Sequence, residues 1–177
     1  MLTRRNIAIA VVSLLVIVAV VEYVWIYVLP EDEPTTGELA NRAFKAPEVD
    51  EREAAVVKLA NKGRSAVPEL RKVLVEAREP EIKAAAVRGL GESFDFASMD
   101  RLLDAMEDPS PLVRARAHAA VSRMLGPNAH FDPHAPAAER RKIVKFYRDE
   151  WKALRNSQRL REHQARLDRN LGPIAGQ

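Results

Sequence analysis

The sequence predicts an all-α protein: a short right-handed α-solenoid of helical hairpins, with a single transmembrane helix before it and one long basic helix after it. Three observations carry that prediction. An apolar run lies near the N-terminus, and a pattern of basic, small and aliphatic residues recurs every 31 residues through the middle. Aromatics make up only 6% of the 177 residues, and a core short of aromatics and rich in Ala and Leu suits packed helices better than sheets.

Residues 1–6 carry Arg4 and Arg5, and the apolar run "IAIAVVSLLVIVAVVEYVWIYVL" follows over 7–29 with Glu22 as its one charge. At about 1.5 Å per residue it reaches roughly 35 Å, enough for a hydrocarbon core of about 30 Å. It is too long for a signal peptide, and no A-x-A-like cleavage site follows, so it reads as an uncleaved anchor. Two arginines before it and Glu31, Asp32 and Glu33 after it place the N-terminus in the cytoplasm and the rest on the extracytoplasmic, periplasmic side. Intramembrane acids suggest a partner helix, whereas Tyr23, Trp25 and Tyr27 around Glu22 suggest the interface, where the carboxylate snorkels. Residues 30–37 form an acidic, Pro-containing linker.

The repeats occupy 38–126. Arg52, Lys83 and Arg114 align at the constant offset; Ala55, Ala86 and Ala117 follow one turn later, and Leu59, Leu90 and Val121 one turn after that. These positions share one face of a helix. Ile82 and Val113 precede the basic residue in two copies, where the first copy has Glu51. Apolar segments ahead of the second and third copies carry Val67, Leu70, Val73 and Leu74, and Met99, Leu102, Leu103 and Met106. Gly63, Gly91 and Gly126 fall where a left-handed residue would close each aligned helix. Asp50 with Glu53 reads as a capping box, and Ser110 with Pro111 as an N-cap followed by proline at N1. The unit is a hairpin repeated about two and a half times, stacked because no single copy could bury enough surface.

The segments "DPSPLVRARAHAAVSRMLG" and "EPEIKAAAVRGLG" resemble the second helix of HEAT repeats, particularly the short bacterial, phycobilisome-lyase-like kind. The resemblance implies that Arg52, Lys83 and Arg114 brace the turns between helices, with acids such as Asp108 as partners. It implies a surface for another macromolecule more than an activity. The period is shorter than the family's usual one, and the first copy is atypical, as a capping repeat would be.

A loop over 127–135 leads to a single basic helix over 136–171 and a tail over 172–177. Ile143, Tyr147, Trp151 and Leu154 share one face and should cover the end of the solenoid. The second half is sparse in apolar residues and is expected to fray or project. Residues 139–177 carry 11 basic and 5 acidic side chains, whereas 31–138 carry 15 and 19. Arg155, Arg159, Arg161, Arg166 and Arg169 are therefore the candidate partner-binding residues, facing an acidic protein, an anionic headgroup or phosphates. Nucleic acid is the weaker reading, because no aromatics interleave with the arginines.

There is no cysteine, which excludes disulfides, thiolate metal sites and a cysteine nucleophile. His130, Asp132 and His134 form a His/Asp cluster in "HFDPH", where turn formation by Asp132 and Pro133 competes with metal binding. No phosphate loop, nucleophile elbow or paired-carboxylate motif appears, so no catalysis, cofactor, metal or small-molecule ligand is expected. The function expected is a membrane-anchored protein-interaction scaffold. An accessory subunit of a lyase-like enzyme, such an enzyme itself, or a polyanion binder acting through the Arg-rich tail are the alternatives.

Overall fold

The computed structural model describes residues 13–22, 33–126 and 129–176, and the chain divides into two compact units, Met1–Pro34 and Thr35–Gln177. In the first unit, residues 13–22 are helical and exposed. Much of the expected span 7–29 lies outside the described residues, and among those described no helix is long and apolar enough to cross a membrane.

The second unit is all helical among its described residues. Three hairpins come first: α1 (Thr36–Lys45) with α2 (Val49–Asn61), α3 (Val67–Glu76) with α4 (Pro80–Glu92), and α5 (Met99–Ala105) with α6 (Pro111–Leu125). Short 3-10 turns at Gly63–Ala66 and Phe96–Ser98 join them, and α7 (Ala137–Leu154) and α8 (Gln158–Leu171) complete the chain. The first repeat is thus a full hairpin. Its outer helix starts earlier than expected because Thr35 and Glu38 form a reciprocal capping box, Glu38 N–H donating to Thr35 Oγ1 at 3.2 Å and Thr35 N–H to Glu38 Oε2 at 2.9 Å.

The capping box expected of Asp50 and Glu53 does not form. Glu48 is the N-cap of α2 without a side-chain bond, and Asp50 sits in the first turn, where its charge still suits the helix dipole. Ser110 is the N-cap of α6 and Pro111 opens the helix as expected, but the Ser110 hydroxyl makes no capping bond.

Ala55, Ala86 and Ala117, with Leu59, Leu90 and Val121, are all buried, as are Ile82 and Val113. Glu51 is exposed on α2, the first of the three second helices among the described residues. The middle helix α4 packs against α2 on one side and α6 on the other, and is buried nearly all round.

Its glycines explain how so thin a helix fits there. A Cβ on Gly89 would lie 2.8 Å from Ala60 Cβ of α2, and one on Gly91 would lie 2.5 Å from Ala120 Cβ of α6. Gly91 is therefore a close-approach residue inside the helix, not the left-handed closing residue expected. Gly63 and Gly126, at φ 63° and 91°, do take that conformation.

The left-handed residue after α4 is Phe94, at φ 51°. Asp95 N–H donates to the Leu90 carbonyl at 3.1 Å and Phe94 N–H to the Gly91 carbonyl at 3.3 Å, the bond pattern of a Schellman cap. A phenylalanine at that position carries backbone strain of about 1–2 kcal/mol.

The single helix expected over 136–171 is two helices. Ser157 interrupts it and caps α8 by accepting the Leu160 N–H at 3.1 Å, a role for which serine is well suited. The break turns α8 back, so it neither frays nor projects. Leu160 and Ile174 are buried, His163 meets Phe94 and Phe96 edge-on, and Asp168 pairs with Arg64 at 2.8 Å. In α7, Tyr147 and Trp151 are buried, with Trp151 stacked on Phe96 at 6.2 Å between centroids; Ile143 and Leu154 are partly buried.

Candidate binding site

The basic positions of the repeat reach from each second helix to the next connection, and the two arginines also hold the turn before their own helix. Arg52 donates to the carbonyls of Ala46 and Pro47 at 2.8 and 3.1 Å and pairs with Glu79 at 2.7 Å. Arg114 does the same in the third repeat, donating to the carbonyls of Asp108 and Pro109, both at 2.7 Å, and onward to the Pro133 carbonyl. Lys83, with a single ammonium instead of a fork, reaches Asp108 Oδ2 at 3.3 Å. Asp108 also accepts the Ser110 N–H at 2.8 Å. Burial pushes the Arg114 pKa down, Arg140 nearby adds to that, and Asp108 opposes it.

Two further polar groups, Asp95 buried and His118 half-buried, are held by partners that sequence reading did not pair. Asp95 is fully buried and receives a forked bond from Arg71, Nε to Oδ2 at 2.8 Å and Nη2 to Oδ1 at 2.5 Å, with Ser98 Oγ donating at 2.5 Å. His118 stacks on Phe131 and its Nε2–H donates to the Ala129 carbonyl at 2.9 Å. Tyr147 bonds Ser122 at 2.7 Å and accepts the Ala129 N–H at 3.0 Å, so loop, α6 and α7 share one polar knot. Burial lowers the His118 pKa, the bond to Ala129 raises it, and His130 lowers it further.

In "HFDPH", Asp132 Oδ1 accepts the His134 N–H at 2.8 Å, a local turn, while Phe131 is buried. Among the described residues no three His or acidic side chains converge as metal ligands.

The five tail arginines do not form one patch. Arg159 and Arg166 line a cleft of about 440 Å³ where α8 crosses the C-terminal end of α6 and the turn after α4. Its floor is Phe94, Phe96, Met124 and Leu160, and Arg123, Glu150 and His163 complete the rim. Arg155 lines a second cleft of about 350 Å³ on the other side of Phe94, Phe96 and Leu160, with Arg64, Asp95, Trp151 and Asp168. Arg161 and Arg169 are exposed and line neither. Arg123 was not among the expected residues: it lies on a repeat helix and reaches the same cleft only because α8 folds back.

A third surface lies along the second helices. Glu53 and Val57 of α2, Glu81 and Arg88 of α4, and Leu112 and Arg116 of α6 line one shallow groove of about 60 Å³ running across all three repeats.

Comparison with known proteins adds one match. Residues 37–122 match the family model for HEAT repeats. No curated protein and no solved structure matches the chain.

Proposed function

We propose, from the premise that residues 37–122 are HEAT repeats, that the chain is a membrane-anchored scaffold that binds another protein and carries out no catalysis of its own. HEAT repeats are generally protein-interaction scaffolds, working through an extended surface built by stacking. The observation that carries the reading is the groove along α2, α4 and α6. It crosses every repeat, mixes exposed charge with Leu112 and half-buried Val57, and is continuous only because the hairpins stack.

The finer parts of the proposal come from the sequence: a right-handed solenoid of the short phycobilisome-lyase-like kind, a bilayer span over 7–29, and the solenoid on the periplasmic side. The apolar run and its flanking charges support the span and its direction. A tether raises the effective concentration of the solenoid near envelope partners. The Arg71–Asp95–Ser98 set, with its carboxylate buried, and the Arg114 fork are occupied in holding turns, which supports binding over chemistry.

Two linked measurements test this. A reporter active only outside the cytoplasm is fused after Gln177; activity is the expected result, and a positive cytoplasmic reporter at the same site refutes the placement. A photo-crosslinker at Leu112 should then give an adduct of discrete mass that an added charge at Val57 abolishes. Equal crosslinking from Lys72, away from the groove, would refute the surface.

A further inference from the structure

We propose that the cleft between α6, the turn after α4, and α8 binds an acidic polypeptide segment carrying a bulky apolar anchor. The reading shares with the proposed scaffold only the idea that the ligand is a polypeptide. It concerns a different surface and does not depend on the membrane span.

The cleft has two chemically distinct parts. Phe94, Phe96, Met124 and Leu160 form an apolar floor, and the volume of about 440 Å³ falls within the roughly 300–1,000 Å³ typical of ligand sites. Around it stand Arg123, Arg159 and Arg166, and none of the three has an anionic partner among the described residues. That contrasts with Arg52, Arg64 and Arg71, each of which pairs with a carboxylate. Three unpaired forks around an apolar floor favour a ligand that brings both carboxylates and an apolar anchor.

Two observations sharpen the class. Glu150 sits on the same rim. Its carboxylate can accept from the backbone N–H groups of a peptide, donors that a run of phosphates lacks. Phe94 holds its ring on the floor from a left-handed backbone, at φ 51°, with His163 edge-on at 6.3 Å. Glycine would make that turn without strain, and such strain clusters where a ligand is held. The start of α8, with Arg159 in its first turn, adds a favourable dipole for a carboxylate.

The test uses the full-length chain in neutral-lipid nanodiscs and a fluorescent heptapeptide of five acidic residues flanking a central Phe-Leu pair, read by anisotropy. Saturable binding is expected, weakening as salt rises. The double variant R159E/R166E should weaken it about tenfold or more. Both residues are exposed, and a glutamate at 159 suits the first turn of α8, so the melting temperature should not fall. A second variant, A153W, fills the cleft from an exposed position on α7 without changing charge, and should abolish binding as well. Replacing the Phe-Leu pair in the peptide with alanines should cost about tenfold.

Failure to saturate at millimolar peptide overturns the proposal, as does equal affinity in both variants. Binding of a heptaglutamate as tight as that of the anchored peptide removes the apolar part and overturns it too. Recruitment of phosphatidylserine vesicles without peptide binding assigns the arginines to a lipid surface instead. A reporter result that places the solenoid in the cytoplasm leaves all of these outcomes readable, so the two readings fail separately.

Discussion

Replacing Gly91 with alanine should destabilise the solenoid, although glycine is a poor helix residue. An added Cβ would sit 2.5 Å from Ala120 Cβ and 2.9 Å from Ala120 Cα. Carbon atoms in ordinary contact stay about 3.5–4.0 Å apart. The obstacle is backbone and its first carbon, with no flexible side chain to swing away, so α4 and α6 must part by about 1 Å. Overpacking of this kind costs about 1–3 kcal/mol, and the rigid neighbour puts this site at the upper end. Alanine returns at most about 1 kcal/mol in helix propensity. The net expectation is a loss of about 2 kcal/mol, from those two opposing effects.

For a folded unit near 150 residues, each kcal/mol moves the melting temperature by about 2–4 °C, so G91A should melt roughly 4–8 °C lower by far-UV circular dichroism. Gly37 provides the contrast. A Cβ there would lie no closer than 4.0 Å to Thr35 Oγ1, and G37A should stabilise by up to about 1 kcal/mol. The double variant G91A/A120G should be less damaged than the two single changes combined, with a coupling of about 1 kcal/mol. If G91A instead raises the melting temperature as G37A does, α4 and α6 do not meet at van der Waals distance. The role assigned to the glycines would then be wrong.

Other perturbations have definite outcomes. Arg114→Met removes the fork that serves the carbonyls of Asp108, Pro109 and Pro133; a loss of about 2–4 kcal/mol in chemical denaturation is expected, given about 1–3 kcal/mol per orphaned buried group. Asp95→Asn strips the charge that Arg71 and Ser98 hold in a fully buried site, and about 3 kcal/mol should be lost in chemical denaturation. His118 has a folded pKa below its ordinary 6.5, so the unfolded chain takes up the proton first. Its contribution to stability is complete above 6.5 and falls away as pH drops from there through the lower folded value. Melting temperature should therefore decline from pH 7 toward pH 5, and His118→Asn should flatten that decline.

The repeats were legible because their burial obeys a fixed register. Once Arg52, Lys83 and Arg114 are aligned, the small and aliphatic positions behind them fall on one face, and that face is the one buried. Glu51 against Ile82 and Val113 even marks the first repeat of the stack. Gly91 was misread because a closing glycine and a close-approach glycine look alike in sequence. Only the distance to Ala120, a residue of the next repeat, separates them. The break at Ser157 was missed for a related reason. A serine in a polar, charged stretch is a weak local signal, and what makes the turn worthwhile is the burial of Leu160 together with contacts of His163 to Phe94 and Phe96, far away in the chain.

The arginines show the same division more sharply. Their sequence contexts hardly differ, yet Arg64 and Arg114 are buried and bonded while Arg123, Arg159 and Arg166 stand exposed and unpaired around one cleft. The tail's positive charge therefore does not act as a block. Asp168 holds Arg64, Arg155 faces a second cleft, and only two tail residues join one repeat residue at the first. A net charge of +6 over a segment suggests a diffuse polyanion surface, whose affinity would follow the number of cations and little else. Three forks gathered around four apolar side chains make affinity depend on which carboxylates a ligand carries, and on how far they stand from its apolar anchor. Folding α8 back onto the repeats is what changes the first kind of surface into the second, so deleting α8 should remove selectivity for the anchored peptide even though Arg123 remains.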